Sequence, residues 1–288
     1  MKKCLIAIVS LLMTTSSFAQ KDTLVTVNQD TIKIGGFLIV KTRDNHDKKD
    51  WLTKNEKSDW GNTQIKIEKI AKPQTDRTTA WWIFDLGFAN YYDATNYKTN
   101  AEFTHPAVGA PMTAKSFKLN NGKSSNVNIW VVQQKMNLSK HQWNLKYGVG
   151  FSMYNFRFEQ PISYRNTGAS FVYLDSKTFK KDKLFVDYLT VPIQLNYQPN
   201  PEKKKSFYAS AGFSVGYLIG SHNKQIAEHK EKYNGNFNLN DWQVAGIGEV
   251  GMGSLRLYAS ANVTNLYDNK FTKLYAYPFA LGLRFSHF

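Results

Sequence analysis

The chain has 288 residues, with 37 Lys and Arg against 22 Asp and Glu for a formal charge of +15, 15% aromatics and a mean hydropathy of −0.45. A single cysteine excludes a disulfide framework, and no segment approaches the roughly 18 consecutive apolar residues of a helical membrane span. The basic residues are dispersed and build no groove-binding module, which argues against nucleic acid and for contact with anionic surfaces.

Lys2 and Lys3 precede an apolar run over residues 5–13, and Ser17 and Ala19 are small residues where a signal peptidase reads. The expectation is a signal peptide over 1–19 and a mature chain from Gln20. Cys4 lies ahead of the apolar run and is not placed for lipoprotein acylation. Residues 20–80 hold short β-like runs at 31–34, 37–40 and 63–70 around a Lys-, Asp- and Asn-rich stretch at 41–60. That composition predicts a loosely structured, partly disordered periplasmic extension.

From residue 81 to 288 the chain reads as strands. The first, 81–91, sets Trp82, Phe84, Leu86 and Phe88 against Ile83, Asp85, Gly87 and Ala89. The second, about 126–138, does not sort by parity. The third sets Trp143, Leu145, Tyr147, Val149, Phe151 and Met153 against Asn144, Lys146, Gly148, Gly150 and Ser152. The fourth, 183–197, sets Leu189, Val191, Ile193, Leu195 and Tyr197 against Thr190, Gln194 and Asn196. Pro192 lacks a ladder donor and predicts a bulge or a lost bond. The fifth, 206–219, alternates Phe207, Phe213, Val215 and Tyr217 with Ser210, Gly212, Ser214 and Gly216. The sixth, 241–251, opposes Trp242 and Val250 to Gln243 and Glu249, and the seventh, 255–266, opposes Leu255 and Leu257 to Arg256 and Tyr258. The last opposes Tyr277, Phe279, Leu281, Leu283 and Phe285 to Ala276, Pro278, Ala280, Gly282 and Arg284.

Apart from the second, each strand has period two, with one greasy parity and one that is polar, small or glycine-rich. A soluble barrel turns its greasy face inward, whereas a membrane barrel gives it to lipid. Long connections at 93–124, 159–182, 221–240 and 268–273 alternate with short turns, so both chain ends fall on the periplasmic side. The expected fold is all-β: an eight-stranded antiparallel transmembrane β-barrel with a loosely structured N-terminal extension, its interior filled by side chains. A soluble lipocalin-like barrel is the alternative that the polar inward parity disfavours.

Three segments carry a family resemblance: Tyr188-Leu189-Thr190-Val191-Pro192-Ile193-Gln194-Leu195, Tyr208-Ala209-Ser210-Ala211-Gly212, and Tyr277-Pro278-Phe279-Ala280-Leu281-Gly282-Leu283-Arg284-Phe285. Together they resemble the PorT-like outer-membrane β-barrel family of the Bacteroidetes, from about residue 81 to the end. The resemblance implies an outer-membrane barrel and says little about activity; the namesake's link to secretion does not carry over. Phe285 holds the lipid-facing parity that the terminal aromatic of such barrels occupies, and Phe288 does not.

Candidate functional residues fall into two groups. Asp85, Lys146, Glu249, Arg256 and Arg284 share the inward parity and are expected to form a lumen charge network, because an unpaired buried charge is costly. Lys177, Lys180, Lys181 and Lys183 cluster beside Phe179 at the outer edge, as a contact for lipopolysaccharide phosphates. Lys224, Lys230 and Lys232 repeat the pattern in the next loop. Six histidines (His46, His105, His141, His222, His229, His287) and the neighbours Ser221 and His222 compose no enzyme motif. His222 and His229, with Glu228 and Glu231, lack compact ligand spacing, so neither metal nor cofactor is expected. The expected function is non-enzymatic: envelope structure, or surface ligand or partner binding. Alternatives are an accessory role in protein export or envelope assembly, and a lumen-sited lipid-modifying enzyme. Expected partners are outer-membrane lipid, lipopolysaccharide and the barrel insertion machinery, with no nucleic acid.

Overall fold

A computed structural model describes residues 75–98, 112–166, 170–203 and 205–286, with the backbone of three short strands nearer the N-terminus. The chain divides into two units, Met1–Pro73 and Gln74–Phe288. In the first, β1 (Thr31–Ile34), β2 (Phe37–Arg43) and β3 (Thr63–Lys69) pair antiparallel in that order. β1 spans the β-like run expected at 31–34 and β3 most of that at 63–70, while β2 runs three residues past the expected 37–40, to Arg43. The expected signal peptide with Cys4, as well as His46, His105, His287 and Phe288, lies outside the described residues.

The second unit contains β4 (Arg77–Asp93), β5 (Ser125–Ser139), β6 (Trp143–Arg157), β7 (Ile162–Arg165), β8 (Phe171–Leu174), β9 (Lys181–Tyr197), β10 (Phe207–Ile226), β11 (Lys230–Asn234), β12 (Trp242–Met252), β13 (Leu255–Asn262) and β14 (Ala276–Phe285). Eight of these close into an antiparallel barrel in the order β4-β5-β6-β9-β10-β12-β13-β14. The seam runs between β14 and β4, from Ala276 opposite Asp93 to Phe285 opposite Phe84. Closure pairs each of these eight strands on both sides, so the barrel wall has no edge at belt level, whereas β11 pairs with β10 alone. The segment expected as a polar loop at 221–240 instead continues β10 to Ile226 and returns as β11, and the loop expected at 159–182 contains the β7–β8 hairpin.

The lipid-facing parity is as expected through the membrane. Phe88, Leu281 and Leu257 are 66%, 60% and 53% exposed, whereas Asp85, Arg284 and Arg256 on the alternate parity are buried. On β9 this belt spans Leu189 to Tyr197, long enough to cross a bilayer. Aromatic pairs bracket it: Trp143 against Tyr197 (4.7 Å between rings) at the short-turn end, Tyr217 against Trp242 (5.1 Å) at the long-connection end. Amphipathic aromatics settle at such interfaces.

Two irregularities have local causes. The register of β5 against β6 shifts between Trp130 and Val132. Asn126, Asn128 and Trp130 therefore point inward on one side of the bulge, and Gln133 points inward on the other. This explains why β5 resists sorting by parity. At Pro192 the pairing with β10 continues through Ser214, but the pairing with β6 lapses between Tyr147–Ile193 and Gly150–Thr190.

Above the belt the pattern inverts. On β6 the apolar residues change parity after Met153, so that Tyr154, Phe156 and Phe158 are buried inside while Asn155 and Arg157 face out. On β9 Leu184, Val186 and Tyr188 are buried inside while Lys181 and Lys183 face out. β10 shifts the phase of its alternation through a bulge between Leu218 and Gly220, which turns Asn223 and Gln225 inward and Lys224 outward, so its inward side stays polar here. Where water replaces lipid outside, the hydrophobic effect draws the greasy face in. This corrects the expectation of a polar interior along the whole strand length. The upper interior is an aromatic core in which Phe117, Leu119, Ile162, Tyr164, Phe237, Leu266 and Tyr267 from the connections fill the barrel mouth.

Candidate functional site

At membrane level the structure joins four of the five inward charges into one chain of contacts. Arg284 donates bidentately to Asp85, Nε to Oδ1 and Nη2 to Oδ2, both at 2.7 Å. Its Nη1 reaches Glu249 Oε2 at 2.7 Å, and Glu249 Oε1 accepts from Lys146 Nζ and, at 2.8 Å, from Ser210 Oγ. The fork geometry of arginine suits two carboxylates at once, and each added donor offsets part of their desolvation. Arg256, the fifth, is held differently. Its guanidinium lies 3.5 Å over the Tyr208 ring and donates to the Gly253 carbonyl in the β12–β13 turn.

Sequence reasoning missed the partners on β5. Trp130 Nε1 and Asn128 Nδ2 both donate to Asp85 Oδ2, at 2.8 and 3.0 Å. Asn126 donates to Asn128 and accepts from Tyr258 across the bore at 2.7 Å. Tyr258 can cross because Gly87 and Gly282 face one another beneath it: a Cβ at Gly87 would stand 2.6 Å from the Tyr258 hydroxyl. The alternation of Asn126 and Asn128 with Val127 and Ile129 was the available signal, obscured by the bulge that follows.

On the outer wall the four expected lysines separate. Lys177 and Lys180 line a shallow groove with Phe179 and His229, between the β8–β9 connection and the β10–β11 turn. Lys181 and Lys183 lie on the outward parity of β9. Strand register then assembles what the sequence keeps apart. Arg157 on β6 is opposite Lys183 on β9, Lys183 is opposite Lys224 on β10, and Lys224 is opposite Lys232 on β11. One row further out, Lys181 and Lys230 flank Ile226. The row lies beyond the apolar outward stretch of β9 that begins at Leu189, and Lys183 within it is partly buried. Burial, reinforced by Lys181, Lys224, Arg157 and Lys232, pushes the Lys183 amine down to about 8. His222, stacked on Phe185 at 4.7 Å, is pushed down to about 4 by burial and the surrounding lysines, so it presents a neutral ring at pH 7.

Behind this wall Asp182 points inward beside Asn223, which donates to its Oδ1 at 3.0 Å, while burial pushes the carboxyl up to about 7. Ser221 and His222, adjacent on β10, fall on opposite faces: Ser221 is paired with the inward Val186 and His222 with the outward Phe185. That pair cannot act as a nucleophile and base.

A closed eight-stranded barrel with a lipid-facing apolar belt, aromatic girdles and a charge-paired interior is an outer-membrane β-barrel protein. The chain belongs to the family described as outer membrane protein beta-barrel domain, whose model matches residues 74–282. Among solved structures it is similar to Ail, the attachment invasion locus protein of Yersinia pestis, at 10% identity and a TM-score of 0.31 over 74% of this chain and the whole of that one. A likeness this distant has no bearing on ligands. No curated protein matches, and no match points to the PorT-like group in particular. The family and the belt place the protein in the outer membrane.

Proposed function

We propose that this protein is a non-conducting, non-enzymatic outer-membrane barrel, of PorT-like type by its strand motifs, that works by binding at its extracellular projection and not through its lumen. The supporting observation is that the interior is filled twice. The ion-paired cluster around Arg284 occupies the membrane level, and the aromatic core around Phe156, Tyr164 and Tyr267 occupies the mouth above it. Eight strands leave an interior that side chains can fill without a channel. Surface, by contrast, is plentiful, because β6, β9 and β10 continue well past the lipid belt and carry the β7–β8 hairpin and β11.

Conductance tests this reading. Purified protein in planar bilayers should show no porin-sized openings at either polarity. Stable, reproducible, large channels would overturn it. So would turnover of membrane lipid by the purified protein, which would restore the enzymatic alternative.

A further inference from the structure

A row of four cations directly opposed on adjacent antiparallel strands is an arrangement a fold adopts at a cost, since like charges facing across a ladder repel. Arg157, Lys183, Lys224 and Lys232 form such a row, and Lys181 and Lys230 stand one pair beyond it. Among the described residues no salt bridge reaches any of them. The nearest acid on the same face of β9 is Asp187, two pairs lower. The spacing is regular: three interstrand steps of about 4.8 Å make a strip about 14 Å long, enough for two phosphate groups side by side.

Direction and height identify what meets this strip. Outward-parity side chains point away from the barrel axis, into the layer that surrounds the barrel in the plane of the membrane. Lys183 lies six residues beyond Leu189, the last lipid-facing residue of β9. With a rise of about 3.4 Å per residue and a tilt of about 40°, that is roughly 15 Å above the apolar belt. The layer at that height in an outer leaflet is the saccharide of neighbouring lipopolysaccharide, above the lipid A backbone. A soluble polyanion approaching from the medium would meet Lys177 and Lys180 in the loop groove first.

We propose that the row Arg157, Lys183, Lys224 and Lys232 binds phosphate groups on the core saccharide of adjacent lipopolysaccharide molecules. The inference rests on the surface-binding reading above and names its ligand. Bound phosphate relieves the repulsion within the row, and the stacked rings of His222 and Phe185 stand one row below it.

The experiment uses full-length protein in neutral detergent and three probes: rough lipopolysaccharide with a phosphorylated core, the same material after removal of core phosphate, and lipid A alone. The variant Lys183→Gln/Lys224→Gln/Lys232→Gln should bind the phosphorylated core about a hundredfold more weakly at low ionic strength, taking about 1 kcal/mol per lysine and 1.4 kcal/mol per tenfold. Lys177→Gln/Lys180→Gln should bind nearly as the parent does. Binding by the parent should weaken steeply as salt rises. Without any probe the triple variant should melt at or above the parent's temperature, because the opposed charges are gone. Should it fail to fold, Lys224→Gln alone carries the test, with an expected loss of about fivefold on the same scale. The proposal is overturned if the ladder variants bind like the parent, if lipid A alone binds as well as the phosphorylated core, or if binding ignores salt. Conductance is a separate readout, so failure here leaves the closed-barrel reading to stand or fall by itself.

Discussion

Two stretches of one interior, a few residues apart along the same strands, are built on opposite principles. Around Lys146, Asp85, Glu249 and Arg284 the bore is polar and ion-paired; around Phe156, Leu184, Tyr164 and Tyr267 it is greasy and aromatic. What differs is the medium outside. At membrane level the apolar side chains face lipid, so the inside is left with polar groups that must satisfy one another. Above the membrane the outside is wet, and the same strands fold like a soluble barrel. An inward residue in this protein therefore cannot be understood from parity alone; its depth decides its chemistry.

The comparison can be broken at either level. Replacing Arg284 by Met should have the largest effect, about 3–5 kcal/mol, because Asp85 and Glu249 would remain buried with a principal partner removed. Denaturant titrations in detergent would read it, and a near-neutral outcome would mean that the lumen is wet enough to solvate both acids. Phe156→Ala should cost about 3 kcal/mol, but the loss should appear in the projection. Protease should cut the connections around the β7–β8 hairpin while the membrane-level barrel stays intact. If both variants melt the barrel to the same extent, the two levels are one cooperative unit.

The lipid face offers a smaller and depth-dependent test. Leu281→Arg or Val191→Arg near the middle of the belt should cost about 2–4 kcal/mol, whereas Phe185→Arg, on the same outward parity of β9 but above the membrane, should cost far less. Equal penalties would place the upper wall in lipid.

The smallest expected effect concerns pH. Asp182 has its carboxyl raised to about 7 from an ordinary 3.8 by burial. Below pH about 4 the acid is protonated in folded and unfolded chains alike, and its burial carries no penalty. As pH climbs towards 7 only the unfolded chain ionises readily, so stability falls across that window. The gap corresponds to at most about 4 kcal/mol at 1.36 kcal/mol per unit, and an effect on the order of 1–2 kcal/mol is expected for the upper core. Asp182→Asn, which keeps an acceptor for Asn223, should flatten the pH dependence of protease resistance between pH 4 and 7.

Much of the membrane-level barrel was legible in the sequence, because lipid imposes one rule on every strand. The parity of β6, β12, β13 and β14 and the inward charges follow from period two, and the irregular pairing at Pro192 follows from its missing N–H. The projection was harder to read for physical reasons. Past Tyr188 on β9 and past Met153 on β6 the apolar parity reverses, and on β10 the bulge at Leu218–Gly220 disguises the change as the end of a strand. The segment from Ser221 to Ile226, rich in polar residues on both faces, then reads as loop when it is the upper wall. The cation row was invisible for a different reason: Arg157, Lys183, Lys224 and Lys232 are scattered over 76 positions, and only strand register makes them neighbours. The Asp85 cluster was partly visible as charges on the inward parity, but Trp130, Asn128 and Tyr258 carry no charge to mark them.

The central claim is that the outside of β9 changes from lipid to water at Leu189 while its inside changes from polar to apolar, and site-directed spin labelling tests it most directly. The chain's single cysteine, Cys4, can be replaced, and labels can be placed one at a time from Lys181 to Tyr197 in protein reconstituted in bilayers. Outward labels at 189, 191, 193 and 195 should be accessible to oxygen dissolved in lipid, and outward labels at 181, 183 and 185 to a water-soluble paramagnetic reagent. Labels at 184, 186 and 188 should be shielded from both. Lipid access at 181–185, or free aqueous access at 184–188, would contradict the account.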